Sequence, residues 1–239
     1  MTKCWICNAQ ANSGEHRIKK SDLKLSMSGK PSQTSPIYHR SNGENKRPIG
    51  SLKAEALKFN KSICANCNGS LSQPYDYSWD ILSTYLSTAS FNTGEELELN
   101  KVFGNDSDAN LINVHLFFAK IFGCAVSESG FSLDLEILAE CIKTNMYCPH
   151  LYLKIRNSEN GKTDSYCALS DIQVSRDESG KLQYAHIYYT VGKYTVDIVY
   201  SDNIVDLDLV EFFQPNNTSQ KIIIGGAEYT QGYQPEYTS

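Results

Sequence analysis

Cys4-Trp5-Ile6-Cys7 and Ile63-Cys64-Ala65-Asn66-Cys67-Asn68 are the stretches whose reading decides the fold of this chain. Each is a CxxC knuckle, and four thiols in two knuckles are the ligand set of a closed structural zinc site. The knuckles lie far apart in sequence. A knuckle is a local unit, however, and closing a long loop costs only slightly more than closing a short one. Zinc would therefore pin the N-terminus beside whatever follows Cys67. The other cysteines, Cys124, Cys141, Cys148 and Cys167, form no paired knuckle and read as small buried apolar residues.

Composition bounds the rest. The chain has 239 residues, of which 41% are hydrophobic and 21% charged. That is room for one large domain or two small ones. No run of about 18 apolar residues predicts a membrane span, and the N-terminus lacks a signal-peptide apolar stretch. A cytoplasmic location is expected, where thiols stay reduced and cysteine pairs favour metal over disulfides. The net charge of −5 conceals an asymmetry: residues 1–70 carry 12 Lys+Arg against 4 Asp+Glu, and the remainder is acidic. Only the first segment is suited to meet phosphates.

The pattern along the chain predicts an α+β protein with a boundary near 105. Residues 15–24 read as a strand end leading into a turn, 37–50 as a hairpin, and 51–59 as near-helical but short. Ser72 can cap a helix and Pro74 suits its first turn. Tyr75, Trp79, Leu82 and Leu86 then mark one helical face running to about Ser87. Helices are predicted from Asn110 to a stop at Gly123 and from Ser132 to Met146. Strands are expected at 151–156, 184–191, 194–200 and 221–224, with Asn160-Gly161, Ser179-Gly180 and Gly192-Lys193 as turns. The last fourteen residues carry little to bury. The organisation read from this is an N-terminal module over 1–104 and an α+β accessory domain over 105–239.

Glu15-His16 lies between the knuckles, and Asn68 follows the second one directly. Zinc would bring these together, with Asp76 one turn into the next helix. Glu15 and an Asn or Asp oxygen make a sparse, hard-oxygen site suited to Mg²⁺ or Mn²⁺. His16, with an ordinary pKa near about 6.5, suits a base at neutral pH. His115 sits among apolar residues on a helix and reads as packed. His150 and His186 flank strands without acidic or Cys partners at ligand spacing.

Cys4-x-x-Cys7, Glu15-His16-Arg17-Ile18-Lys19-Lys20-Ser21 and Ile63-Cys64-Ala65-Asn66-Cys67-Asn68 together resemble the zinc-knuckle branch of the HNH (ββα-metal) endonucleases, over about residues 3–87. Ser72-Gln73-Pro74-Tyr75-Asp76 resembles a subgroup among uncharacterised bacterial and mobile-element proteins. The resemblance implies a zinc-stapled ββα-metal fold that hydrolyses phosphodiesters of nucleic acid, DNA foremost, with Mg²⁺ or Mn²⁺. It implies His16 as general base, Glu15 as metal ligand, and Asn68 as the residue completing the metal site. In another register Asn68 is the middle residue and Asp76 the last ligand. The family's middle Asn falls here on Phe59, with Asn60 one step away. Arg17, Lys19, Lys20, Lys24, Arg40, Lys46 and Arg47 would contact backbone phosphates, which gives affinity without sequence information. The insert over 25–50 is long for the family and could read substrate. The rival expectation is a non-catalytic HNH-derived module that grips nucleic acid or a protein partner. The acidic second part could contact a partner or a second copy of the chain.

Overall fold

The structure, a computed structural model, describes residues 2–27, 30–34, 36–39, 47–158, 166–202, 211–216 and 221–226. The predicted hairpin tip, the Asn160-Gly161 turn, most of the acidic run over 203–210 and the end of the chain lie outside the described residues.

The chain is α+β. Its elements are α1 (Lys20–Leu25), β1 (Ile37–His39), β2 (Arg47–Ile49), α2 (Gln73–Thr88), β3 (Glu96–Glu98), α3 (Leu99–Phe103), α4 (Ser107–Ser129), α5 (Glu136–Thr144), β4 (Leu151–Asn157), β5 (Cys167–Leu169), β6 (Gln173–Arg176), β7 (Leu182–Val191), β8 (Tyr194–Tyr200) and β9 (Lys221–Ile223). A five-stranded antiparallel sheet takes the order β4-β8-β7-β5, and β6 also pairs with β7. Strands β1 and β2 form their own antiparallel pair, as do β3 and β9. The hairpin between β7 and β8 turns on Gly192, whose φ of +56° a residue with a Cβ adopts only at a cost.

Helix α4 organises the interior. From Val114 to Val126 every residue is buried. The segment Leu99–Ser129 is long and apolar enough to cross a membrane, yet 78% of its most apolar window is buried inside the fold, as in the core helix of a globular protein. On one side Phe117 and Phe118 meet Trp79 of α2, at ring centroids 5.6 and 4.7 Å away, and Tyr189 of β7, at 6.1 and 5.6 Å. Such aromatic contacts join the cysteine-bearing segment, α2, α4 and the sheet into one hydrophobic core that crosses position 105.

The predicted stop of α4 at Gly123 is corrected by the structure. The helix continues to Ser129 and ends at Gly130 in the left-handed region, φ +70°. Gly123 serves a packing need instead. A Cβ there would lie 2.3 Å from Cζ2 of Trp5, so the bare helix surface admits the indole of the first knuckle. Helix α5 is shorter than predicted and stops at Asn145, φ +56°. Strands β5 and β6, short and flanked by polar residues, carry no usable alternation, and the helix α1 stands where a strand end and turn are expected over 15–24.

Candidate metal centre and the acid pair beside it

The first knuckle is a tight turn. The Asn8 amide donates to the Cys4 carbonyl at 2.8 Å and the Cys4 amide to the Ala9 carbonyl at 2.7 Å, with Asn8 itself at φ +62°. In the second knuckle the Cys67 amide donates to Cys64 Sγ at 3.4 Å and the Asn68 amide to the Cys64 carbonyl at 2.9 Å. The chain between then makes one turn of π-helix over Cys67–Leu71 before α2 begins. The two knuckles are tied by ordinary hydrogen bonds. Trp5 N donates to Ser62 O at 3.1 Å, Ser13 N to Ile63 O at 3.0 Å, and Ala65 N to Asn12 Oδ1 at 2.8 Å.

These bonds gather Cys4, Cys7, Cys64 and Cys67 so that all four Sγ atoms lie within 4.8 Å of one another. Cys7 Sγ and Cys64 Sγ are 3.6 Å apart. Tetrahedral zinc with its usual bond lengths sets sulfurs about 3.8 Å apart, so the cluster has the dimensions to hold a metal such as zinc. Cys64 is drawn down to about 7, first by the Cys67 amide aimed at its sulfur, so a thiolate is at hand. Among the described residues no other group of three or more His, Cys, Asp or Glu gathers its donor atoms in this way.

Beyond the first knuckle, residues 13–17 run antiparallel to 57–63. Ser13 bridges Ile63 and His16 bridges Lys58; the Phe59 amide donates to the Glu15 carbonyl at 2.8 Å and the Arg17 amide to the Leu57 carbonyl at 2.9 Å. In such extended backbone neighbouring side chains take opposite faces. Glu15 goes inward and His16 outward.

Glu15 is buried, and what it meets is Lys120 of α4. Lys120 Nζ lies 3.4 Å from Glu15 Oε2, 3.0 and 3.1 Å from the two oxygens of Asp76, and 3.2 Å from Ser72 Oγ. Burial strips charge from any isolated lysine, but Glu15 and then Asp76 outweigh it and hold Lys120 above its ordinary value. Burial, with Asp76 beside it, pushes the Glu15 carboxyl up against the pull of the ammonium. The two acids that the sequence assigned to a catalytic cation are thus brought together, around an ammonium.

His16 turns the other way. Its Nε2 lies 3.1 Å from the carbonyl oxygen of Leu52, which can only accept, so Nε2 carries the proton and Nδ1 keeps its lone pair. Burial chiefly lowers its pKa, leaving a neutral imidazole at neutral pH. Asn68 Nδ2 donates to Ser13 Oγ at 2.8 Å, while its Oδ1 is buried without a hydrogen-bond partner among the described residues. Asn60 is exposed, and its amide donates to Glu128 Oε1 at 2.9 Å.

The catalytic Mg²⁺ or Mn²⁺ implied by the resemblance does not fit these residues. Magnesium demands near-octahedral oxygens and keeps several waters, whereas the Glu15 and Asp76 carboxylates converge on a buried ammonium and the Asn68 amide is held by Ser13. No chemical step is assigned to such an ion.

The expected phosphate contacts divide. Arg17 pairs with Glu128 and lies over the Phe59 ring at 4.8 Å; Lys19 pairs with Asp80 at 2.5 Å. Lys20 is half-buried, and Lys24 and Arg47 are exposed. Arg40 and Lys46 lie outside the described residues.

Sequence reasoning missed Lys120. The signal was there, since a lone lysine inside Leu116–Val126 must find acids if that run is core. It also missed the fully buried Asp22, whose Oδ2 accepts from Trp79 Nε1 at 2.7 Å and from the Tyr189 hydroxyl at 2.6 Å. His186 does have an acidic partner: Asp197 Oδ1 is 3.3 Å from its Nε2, and Arg156 Nε donates to the same carboxylate at 2.7 Å. The three stand on adjacent strands, where sequence spacing gives no warning. His150 likewise meets Asp202, at 3.4 Å.

Comparison with protein-family models, with curated proteins and with solved structures finds no match to this chain.

Proposed function

We propose that this chain is an HNH-derived, zinc-stapled module that binds nucleic acid through its phosphate backbone in the cytoplasm. The observation that supports it is the cationic surface of the cysteine-stapled segment. Lys24, Lys30, Arg47, Lys53 and Lys61 are all exposed there, while acids are concentrated in the rest of the chain. Zinc in the four-cysteine cluster holds that surface and performs no chemistry. Fluorescence anisotropy with labelled duplex and single-stranded DNA and RNA, titrated at several salt concentrations, tests this. If about four cations touch phosphates, log affinity falls against log salt with a slope of about −3 to −4. The pair Lys24→Glu and Lys53→Glu then flattens the slope by about 2. Affinity that is absent at low salt, or indifferent to salt, refutes the reading.

A second reading, phosphodiester hydrolysis, is supported by His16. Its ring is neutral and fixed by the Leu52 carbonyl with Nδ1 as a competent base. A positioned base contributes roughly 10²- to 10⁴-fold, so loss of cleavage in His16→Ala, with the metal of the cysteine cluster retained, supports hydrolysis. Equal cleavage by wild type and His16→Ala excludes it. The assay is run with and without added Mg²⁺ or Mn²⁺, with no step assigned to an ion at Glu15 and Asp76.

A further inference from the structure

We infer that Lys120 is the resident cation of the Glu15–Asp76 pair, a fixed ammonium standing where the resemblance places a divalent ion, and that it closes the pair to such ions.

Lys120 Nζ has three protons and is surrounded by both oxygens of Asp76, Oε2 of Glu15 and Oγ of Ser72, all between 3.0 and 3.4 Å. The Phe117 ring covers it at 5.6 Å. An ammonium so supplied with acceptors is satisfied in charge and in hydrogen bonds. The lysine side chain is 0% exposed and that of Glu15 only 9%. The Asp76 side chain is 23% exposed, so a divalent ion could approach from that side, but to take both carboxylates it would have to displace the lysine from the interior.

Lys120 cannot withdraw by a shift of its helix, because α4 is held in register three residues on. At Gly123 the helix backbone takes the Trp5 ring so closely that a Cβ would overlap it. Residues i and i+3 share a helix face. The face that presents Lys120 to Glu15 is therefore the face pinned by the first cysteine knuckle. Arg17–Glu128 adds a further tie between the same strand and the end of the same helix. The stapled module and α4 fix the distance between ammonium and carboxylates from both sides.

The test uses the full-length, zinc-loaded chain and Mn²⁺ alone as probe, with free Mn²⁺ followed by electron paramagnetic resonance. Wild type and Asp76→Asn should bind Mn²⁺ equally weakly, with no site tighter than about 1 mM that depends on Asp76. Lys120→Met, which keeps the length and removes the charge, should gain a site at least about tenfold tighter, lost again when Asp76→Asn is added. A wild-type site tighter than that which Asp76→Asn weakens overturns the inference. So does a folded Lys120→Met that binds no more Mn²⁺ than wild type. Should Lys120→Met not fold, the comparison of wild type with Asp76→Asn decides alone. None of these readouts depends on nucleic-acid binding.

Discussion

His115 sits at the centre of α4 with no exposure to water, and its titration should make the stability of the whole fold depend on pH. Its Nε2 accepts the Cys148 amide at 3.1 Å, so the ring proton must sit on Nδ1, which is buried and has no hydrogen-bond partner among the described residues. Protonation would place a charge in this interior and take away the acceptor the Cys148 amide uses. Burial accordingly lowers the pKa from 6.5 to about 3. The folded pKa lies below the unfolded one, so the unfolded chain takes up the proton first as pH falls. The stabilising difference is complete above 6.5 and is lost progressively from there towards 3. At about 1.4 kcal/mol per pH unit, the loss between pH 6.5 and about pH 4 is some 3 kcal/mol, a large part of a typical domain's stability. In His115→Gln a side-chain oxygen can still accept the Cys148 amide, but the titration is gone. Urea unfolding followed by tryptophan fluorescence at a series of pH values should show wild type losing about 3 kcal/mol more than the variant over that interval. The buried carboxyls Glu15 and Asp22, whose pKa values burial raises, act in the opposite sense: the folded state takes their proton first, so acid favours it. They are common to both proteins and cancel in the difference. Equal pH slopes for wild type and His115→Gln would refute the reasoning, as would a His115 imidazole, assigned by its loss in His115→Gln, seen by NMR to titrate near 6.5.

The cysteine cluster predicts about one zinc per chain, released by Cys64→Ser and by strong chelators, with a lower melting temperature in both cases; a folded, metal-free wild type contradicts it. Gly123→Ala should destabilise by about 1–3 kcal/mol, because the clash with Trp5 exceeds the helix-propensity gain of alanine, and Trp5→Leu should recover part of that loss in a double-mutant cycle. Additivity of the two substitutions would show that they do not touch. Tyr189→Phe removes the donor to Asp22 and the oxygen that accepts the Lys19 amide, and should cost about 1.5–3 kcal/mol in urea unfolding with the slope m unchanged.

Local signals in the sequence carried far. The knuckles, the Pro74-marked start of α2 and the 182–200 hairpin are encoded within a few residues of themselves, and each lies close to where its pattern placed it; Ser72 makes no cap hydrogen bond, its hydroxyl going instead to Asp76 and the Lys120 ammonium. The four-cysteine cluster was readable for the same reason, since each CxxC brings two ligands together by its own turn. What was not legible depends on contacts between distant segments. Gly123 looks like a helix stop until Trp5 is set against it. Asp76 looks like a metal ligand until α4 supplies Lys120. His186 acquires its acid from a neighbouring strand whose register no short pattern records. The candidate site was thus half visible: Glu15 and Asp76 do meet, but what lies between them comes from a helix far along the chain.

The position of Lys120 in the chain has a consequence for synthesis. The polypeptide leaves the ribosome N-terminus first, at roughly 5–20 residues per second. All four cysteines and both acids have been made while the helix that carries the ammonium is still to come. For that interval the nascent segment holds Glu15 and Asp76 without Lys120, their buried cation in the finished fold. Strand β3 waits longer still, because β9, its partner, lies more than a hundred residues further on. The order in which partners become available is therefore set by the chain: the four cysteines first, Lys120 for the two acids second, and β9 for β3 last.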